Sequence, residues 1–495
     1  MKFIPFFVII PLAAAFLIAL LGKWIRRFPE ILSTLIAFVL LALSLNTIKP
    51  VIRFGTLVYK MGGWPQPLGI SLVIDGLSIF VLVLINLIAF LTLLYAFGYI
   101  KKFTEVWKFY SLFMLMLAGL NGVVVSADFF NFYIFLEVAS IAAYCLVAFG
   151  IAAEDLEAAF KYAVMGSLAS LFILLGIGII YSYASSLNMA DVALILADKP
   201  NVILIGFVSV LFLVGFSLKA ALVPFHAWLP DAHSSAPTPV SAMLSGVVIK
   251  VLGVYTLARI FFNVLGVSNK LLFVLMILGI LSMVIGAILA IIQNDTKRMF
   301  AYSSISQIGY IVFALGIGTP LAILGALFHL FNHAVFKSLL FLNAGAIEEA
   351  SGTRQLSKLG GLNVKLPVTG WTSLVGAMSI SGIPPLGGFW SKFIIIFAAV
   401  QAGYISFAII AVIVSIITLA YYLKFQTFAF WGKPMVNFGL VKDITFSMKL
   451  ATVILALICI FSGLLLCPGL KDFLYSAANV LSSPLNYKFS ALLAP

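Results

Sequence analysis

A chain of 495 residues that is 63% hydrophobic and only 9% charged lies far from the roughly 25% charged residues of soluble domains, which excludes a water-soluble enzyme or binding module. Its net charge of +13 would suit a nucleic-acid partner, yet the basic residues are scattered through short connections and form no stripe interleaved with aromatics. Cys145, Cys459 and Cys467 are too few and too dispersed for an iron–sulfur or zinc framework, so no metal and no cofactor is expected and the chain is read as carrying no electrons.

Crossing about 30 Å of hydrocarbon takes about 20 apolar residues, and such runs recur almost end to end. The run 3–21 is followed by Lys23, Arg26 and Arg27 and has no small-x-small cleavage site, so it reads as a first span and not as a signal peptide. A second run covers 31–48. The stretch 49–73 then mixes β-branched residues with Gly62, Gly63, Pro65 and Pro67, which predicts a small extracellular hairpin. Further helices are expected at 76–99, 107–126, 129–150, 158–184, 201–222, 239–264, 271–292, 298–317, 320–347, 366–390, 402–430 and 447–467, about 14 in all. Lysine and arginine concentrate in alternate loops, among them Lys101, Lys102, Lys297, Arg298, Arg354 and Lys358. The positive-inside rule places these loops in the cytoplasm and both termini outside.

Two of the expected helices are interrupted. Residues 217–233 read SLKAALVPFHAWLPDAH and residues 379–392 read SISGIPPLGGFWSK; Pro224, Pro384 and Pro385 remove backbone donors inside apolar runs. The breaks fall at matching places in two five-helix blocks, 107–264 and 271–430, between an N-terminal region, 1–106, and a C-terminal region, 431–495. Interrupted helices at corresponding positions of two repeats point to a transporter's site. Five spans per block is an odd number, so the second copy enters from the other face. The expected fold is therefore an all-α integral membrane protein with two inverted five-helix repeats.

Ionisable residues sit where lipid disfavours them, at roughly 2.5–3.5 kcal/mol each near the bilayer centre. Glu137, nine residues past Asp128 in DFFNFYIFLEVASIAAYCLVAF, is about 13 Å along its helix and needs a cationic partner. Lys219, just before the Pro224 break, is the natural candidate, the bland alternative being a static ion pair. Lys250 is flanked by apolar residues for more than two turns and cannot snorkel. Its structural alternative is a lysine that caps carbonyls of a broken helix. His329, His333 and Lys337 recur every four residues and line one helical face, the geometry of a proton relay. Packing histidines are the competing reading, and a zinc pair is disfavoured because Leu330 stands where a metalloprotease has Glu. Lys392 follows the second break as an exit group or an interfacial lysine, and His226 beside the first break is a further candidate. Lys161, near Glu154, Asp155 and Glu157, reads as a surface ion pair.

The segment 217–250, the stretch QNDTKRMFAYSSISQIGY, FHLFNHAVFKSLLFL and SGIPPLGGFWSKF together resemble the proton-translocating antiporter-like family. It comprises large membrane subunits of respiratory complex I, the A and D subunits of Mrp cation/proton antiporters, and relatives in membrane-bound hydrogenases. The resemblance covers roughly residues 70 to 430. It implies a 14-helix fold with a charged chain along the membrane plane: Glu137 on the fifth helix, Lys219 on the broken seventh, Lys250 on the eighth, His329, His333 and Lys337 on the eleventh, and Lys392 on the broken twelfth. It further implies partner membrane subunits in the plasma membrane of a prokaryote, with protons as cargo and Na+ as a second candidate. A lysine at the last position and the length favour a D-type or N-type subunit over the longer L-type or A-type, with the D-type of an Mrp-like module preferred. A stand-alone Na+/H+ antiporter and a pumping subunit of a complex I-type NADH:quinone oxidoreductase remain alternatives. An intramembrane enzyme lacks a centre, with no HExxH, no GxSxG and no mid-helix aspartate pair.

Overall fold

Long apolar runs satisfy their own backbone groups by winding into helices, the one open-ended solution available in lipid. The structure, a computed structural model, describes residues 2–64, 69–433 and 441–483. Helices α1 (Phe6–Leu21) and α2 (Phe28–Phe54) lead into strands β1 (Leu57–Lys60) and β2 (Ser71–Ile74), which pair antiparallel with Leu57 opposite Ile74. There follow α3 (Gly76–Tyr99), α4 (Val106–Val125), α5 (Phe129–Val147), α6 (Ala153–Ala184), the short α7 (Met189–Asp198), α8 (Val202–Ala220) and the short α9 (Trp228–Ser235). Then come α10 (Thr238–Leu265), α11 (Asn269–Ile291), α12 (Thr296–Ile317) and α13 (Pro320–Ser351). The chain continues through α14 (Pro367–Ser381), α15 (Gly387–Gln401), α16 (Ile405–Trp431), α17 (Phe446–Leu466) and α18 (Lys471–Ser482).

Twelve of these are long and apolar enough to cross a membrane. With α1 and the interrupted α14/α15 pair they make fourteen spans, the expected architecture. The strands of the predicted hairpin are β1 and β2, and residues 65–68 between them lie outside the described residues. The span predicted at 366–390 is longer than expected, because the chain turns at Gly382 and resumes as α15 to Gln401. The amphipathic α7 and α18 were not anticipated. Two parts of the expected C-terminal region, 434–440 and 484–495, lie outside the described residues.

Alternating passage sorts the connections onto two faces. The hairpin face holds β1, β2, α7 and α18. The basic face holds the turns beginning at Gly22, Ile100, Ala148, Ile292 and Gly352, together with α9. On the basic face, Lys161 pairs with Glu157 at 2.7 Å and Asp231 at 2.9 Å, Arg298 with Asp231 at 2.8 Å, Lys297 with Glu348 at 3.2 Å and Lys102 with Glu349 at 3.0 Å. The expected surface pair of Lys161 is thus present and also reaches α9, where Trp228 stacks on Tyr162 with ring centres 4.2 Å apart. These contacts fix α9 beneath the first break.

The middle of the bundle is built by α10 and α13, whose apolar windows are 100% buried, and by α12 at 94%, whereas α2, α16 and α17 stand at 33% on the periphery. The hairpin-face end of α10 is held by a bidentate pair. Arg259 donates to both carboxylate oxygens of Asp75 at 2.7 and 2.8 Å, and Asn263 donates to the Val480 carbonyl of α18 at 2.7 Å.

Candidate functional site

The polar residues inside this bundle meet on its central helices. Glu137 lies two turns into α5, whose N-terminus is capped by Asp128 accepting from Phe130 and Asn131 backbone donors. Its Oε1 is 3.7 Å from Lys219 Nζ at the end of α8, with the lysine side chain 3% and the glutamate 24% exposed. Ser170 of α6 donates a short hydrogen bond to the same carboxylate. Lys219 donates to Ser140 Oγ at 2.8 Å and Tyr144 Oη at 3.4 Å. Ser140 and Tyr144 stand three and seven residues beyond Glu137, on the same face of α5. The spacing i, i+3, i+7 could have identified them from sequence.

Lys250 lies in α10, where wide turns closed by i→i+5 hydrogen bonds occupy Leu244–Val248, Lys250–Tyr255 and Arg259–Leu265. Its ammonium donates to the Ser245 carbonyl within this widened segment. Such turns are rare and are found frequently at functional sites. The next turn of α10 touches α8 directly: a Cβ at Gly253 would stand 2.5 Å from Ala220, the neighbour of Lys219. Only a glycine allows this approach. Among the described residues no hydrogen bond or ion pair joins Lys219 to Lys250.

On α13, His329, His333 and Lys337 share one face as expected, the two imidazoles lying parallel with centres 6.2 Å apart. Lys337 donates to the Phe300 carbonyl at 2.8 Å and to Tyr422 Oη at 3.2 Å. His329 Nδ1 is 3.0 Å from Ser391 Oγ, next to Lys392. Tyr310 stands between His329, 5.7 Å from ring to ring, and the Lys392 ammonium, 4.8 Å above its ring. Lys392 also donates to Ser415 at 3.2 Å.

His233 is fully buried and stacked on Phe341 with ring centres 4.8 Å apart. In sequence it is the last residue of the interrupted stretch 217–233. His226 is half-buried in the turn after α8, and no contact joins it to Lys219 or Lys250 among the described residues. Both nitrogens of His333, Nε2 of His329 and the amides of Gln307 and Gln426 are buried without a hydrogen-bond partner among the described residues. Buried polar groups are rarely left so unless water reaches them.

The family model described as NADH:quinone oxidoreductase/Mrp antiporter, TM, matches residues 126–418, the stretch that holds every residue of this row. The chain belongs to this antiporter-like family. A model for the N-terminus of complex I chain 5 matches residues 66–110. The chain is 39% identical over 430 residues to the N subunit of the NADH-quinone oxidoreductase of Desulforudis audaxviator, covering 85% of this chain and 84% of that one. It is 36% identical over 398 residues to the D subunit of the Na(+)/H(+) antiporter of Alkalihalophilus pseudofirmus, covering 80% of each. Its fold is similar to a chain of the Mrp complex from Dietzia sp., with TM-score 0.92 at 26% identity over 99% of both chains. It is equally similar to a chain of the archaeal membrane-bound sulfane sulfur reductase, with TM-score 0.91 at 28% identity over 99% of both. This antiporter-like chain is accordingly a multi-pass membrane subunit of the kind found in multisubunit complexes.

Proposed function

We propose that this antiporter-like chain moves protons through the row Glu137, Lys219, Lys250, His333, His329, Lys337 and Lys392, in the plasma membrane of a prokaryote, driven by cation exchange or redox chemistry in partner subunits. The observation that carries the reading is the pairing of Glu137 with Lys219 at 3.7 Å at one end of a buried series of bases. At an effective dielectric near 20, two unit charges at that separation attract by roughly 4–5 kcal/mol, and at about 7 Å by roughly half as much. Opening the pair by a few ångströms thus changes the energy by about 2 kcal/mol, which alters proton occupancy about thirtyfold. That is sufficient to hand charge from one site to the next.

Two features favour a subunit over a self-sufficient exchanger. Glu137 is a quarter exposed on a face bearing Phe130, Ile134 and Ile141, and Lys392, itself 3% exposed, lines a cavity of about 260 Å³ together with Phe393, Val412 and Ile416. Charge open to hydrocarbon is unfavourable, so neighbouring membrane subunits cover both places. The breaks after α8 and α14 mark equivalent positions of the repeats 107–264 and 271–430, each falling in the fourth of five spans.

Reconstitution of the complete complex into vesicles tests the reading. Lys250→Met and Lys392→Met should each abolish coupled proton uptake while the complex still assembles. Normal uptake in both variants would reject the relay.

A further inference from the structure

The row of buried bases occupies α5, α8, α10, α13 and α15, and the N-terminal helices carry a separate feature. On the basic face, the turns that begin at Gly22 and at Ile100 border a cavity of about 510 Å³. Its lining holds four cations, Lys23, Arg26, Arg27 and Lys101, against two carboxylates, Glu30 and Glu105. Close packing fixes its wall, since a Cβ at Gly22 would stand 2.9 Å from Trp107 Cβ and 3.0 Å from Pro29 Cγ. The chain enters α2 at Arg27 with φ 61° and α4 at Glu105 with φ 56°. Both are left-handed conformations at non-glycine residues, a strain that gathers at ligand sites.

The two carboxylates differ. Glu105 is exposed, accepts from Trp107 Nε1 at 2.8 Å and pairs with Lys108 at 3.5 Å. Glu30 is 7% exposed, and its Oε2 is buried with no hydrogen-bond partner among the described residues. A buried carboxylate without a donor is costly, and the amino terminus of α2 offsets only part of its charge. The four cations are exposed and make no ion pair among the described residues. The cavity thus presents positive charge at its rim and an unsatisfied acceptor at its base.

A ligand that meets both is a zwitterion with its anion outward and its cation inward. A purely anionic group would suit the rim but set a second negative charge beside Glu30, and a simple cation would face four like charges. The level of the cavity selects a lipid. It lies where α1 ends and α2 and α4 begin, the headgroup zone of the leaflet on that face, marked by Trp24 at 77% exposure. Just inside this level, Leu20 of α1 and Ile31 and Leu35 of α2 are each more than half exposed, an apolar wall for acyl chains. We propose that the cavity is a headgroup site for an ethanolamine phospholipid, with the phosphodiester among Lys23, Arg26, Arg27 and Lys101 and the primary ammonium donating to Glu30. Basic pockets between membrane helices bind phosphate-bearing headgroups, and the buried carboxylate adds discrimination, because a choline headgroup has the same charges but no N–H to donate. The site does not depend on the relay reading.

The test uses the complete complex with the photoreactive p-benzoylphenylalanine replacing Trp24, which lies between the lining residues Lys23 and Ile25. The vesicles contain equal parts of dioleoyl phosphatidylethanolamine, phosphatidylcholine and phosphatidylglycerol, and mass spectrometry of this chain identifies the lipid captured on illumination. Phosphatidylethanolamine should be captured at least about tenfold more than either other lipid, the factor supplied by one hydrogen bond to a charged group. Glu30→Gln keeps the side-chain shape and should lower that preference over phosphatidylcholine about fivefold, the difference between bonding a charged and a neutral acceptor. Arg26→Gln combined with Arg27→Gln should reduce total capture and leave that preference in place. Soluble phosphoethanolamine should not displace the lipid. Capture in proportion to the vesicle composition, a majority of phosphatidylglycerol, capture of another protein subunit, or an unchanged preference in Glu30→Gln would each overturn the site. Displacement by phosphoethanolamine would assign the cavity to a soluble ligand and overturn it likewise.

Discussion

Replacing Glu137 by Gln keeps the shape of the side chain and removes its charge. The direct attraction lost is roughly 4–5 kcal/mol at an effective dielectric near 20, from the 3.7 Å separation of Oε1 and Lys219 Nζ. The net effect is smaller, because Lys219 keeps the Ser140 and Tyr144 hydroxyls and Glu137 is 24% exposed to screening. A coupling of about 1–3 kcal/mol between the two positions is expected, within the range of double-mutant cycles for neighbouring groups. The assay is the initial rate of dye quenching in vesicles carrying the whole complex, for Glu137→Gln, Lys219→Met and the double variant. Each single change should slow uptake at least tenfold, and the double variant should be no slower than the worse single. Multiplying losses, or a wild-type rate in either single, would show that the two side chains do not act as a unit.

Other outcomes follow from the same structure. Asp75→Asn strands Arg259 without its bidentate partner and should cost about 3–5 kcal/mol, as breaking buried pairs does, measured by denaturant or thermal unfolding in detergent; a loss below about 1 kcal/mol would contradict it. Burial acts to raise the Asp75 carboxyl, but the Arg259 guanidinium and hydrogen bonds from Arg259 and Ser78 outweigh it and hold the group below its ordinary 3.8. The stability this pair contributes is therefore full above about pH 4, where the unfolded carboxyl is already ionised, and is lost as pH falls through the lower folded value. An acid-unfolding curve of wild type against Asp75→Asn should converge only below that range. Gly253→Leu forces side-chain atoms onto Ala220 and should cost about 1–3 kcal/mol while reducing uptake more than it reduces assembly; intact uptake would mean that the contact of α8 and α10 is not needed. Asp231→Asn breaks the exposed pairs to Lys161 and Arg298, and uptake should be unchanged at high salt, where such pairs are screened.

The spans were legible because lipid demands uninterrupted apolar length, and the breaks because Pro224, Pro384 and Pro385 stand inside such lengths. Glu137 with Lys219, and the face of His329, His333 and Lys337, could be read from depth and from the four-residue period. Residues at a distance in sequence could not. Tyr422 and Tyr310 look like ordinary members of their helices, and only packing brings them to Lys337 and Lys392. Arg259 was hidden for the same reason, since its partner Asp75 lies 184 residues away. The wide turns of α10 have no sequence mark at all: VSAMLSGVVIKVLGVY reads as plain helix, and the i→i+5 pattern comes from its neighbours. The amphipathic α18 was missed because its apolar residues, Phe473, Leu474, Ala477, Ala478 and Leu481, are too few for a span.

The clamped end of α10 has a mechanical corollary. A rod that is free at both ends answers a push by sliding, and its side chains travel together. Arg259 and Asn263 anchor one end of this rod to α3 and α18, so a push must be absorbed as torsion in the loosely coiled stretch beneath. Lys250 sits in that stretch. Under the proposed relay, twist taken up there swings the Lys250 ammonium between neighbours while the anchored end of the helix keeps its place.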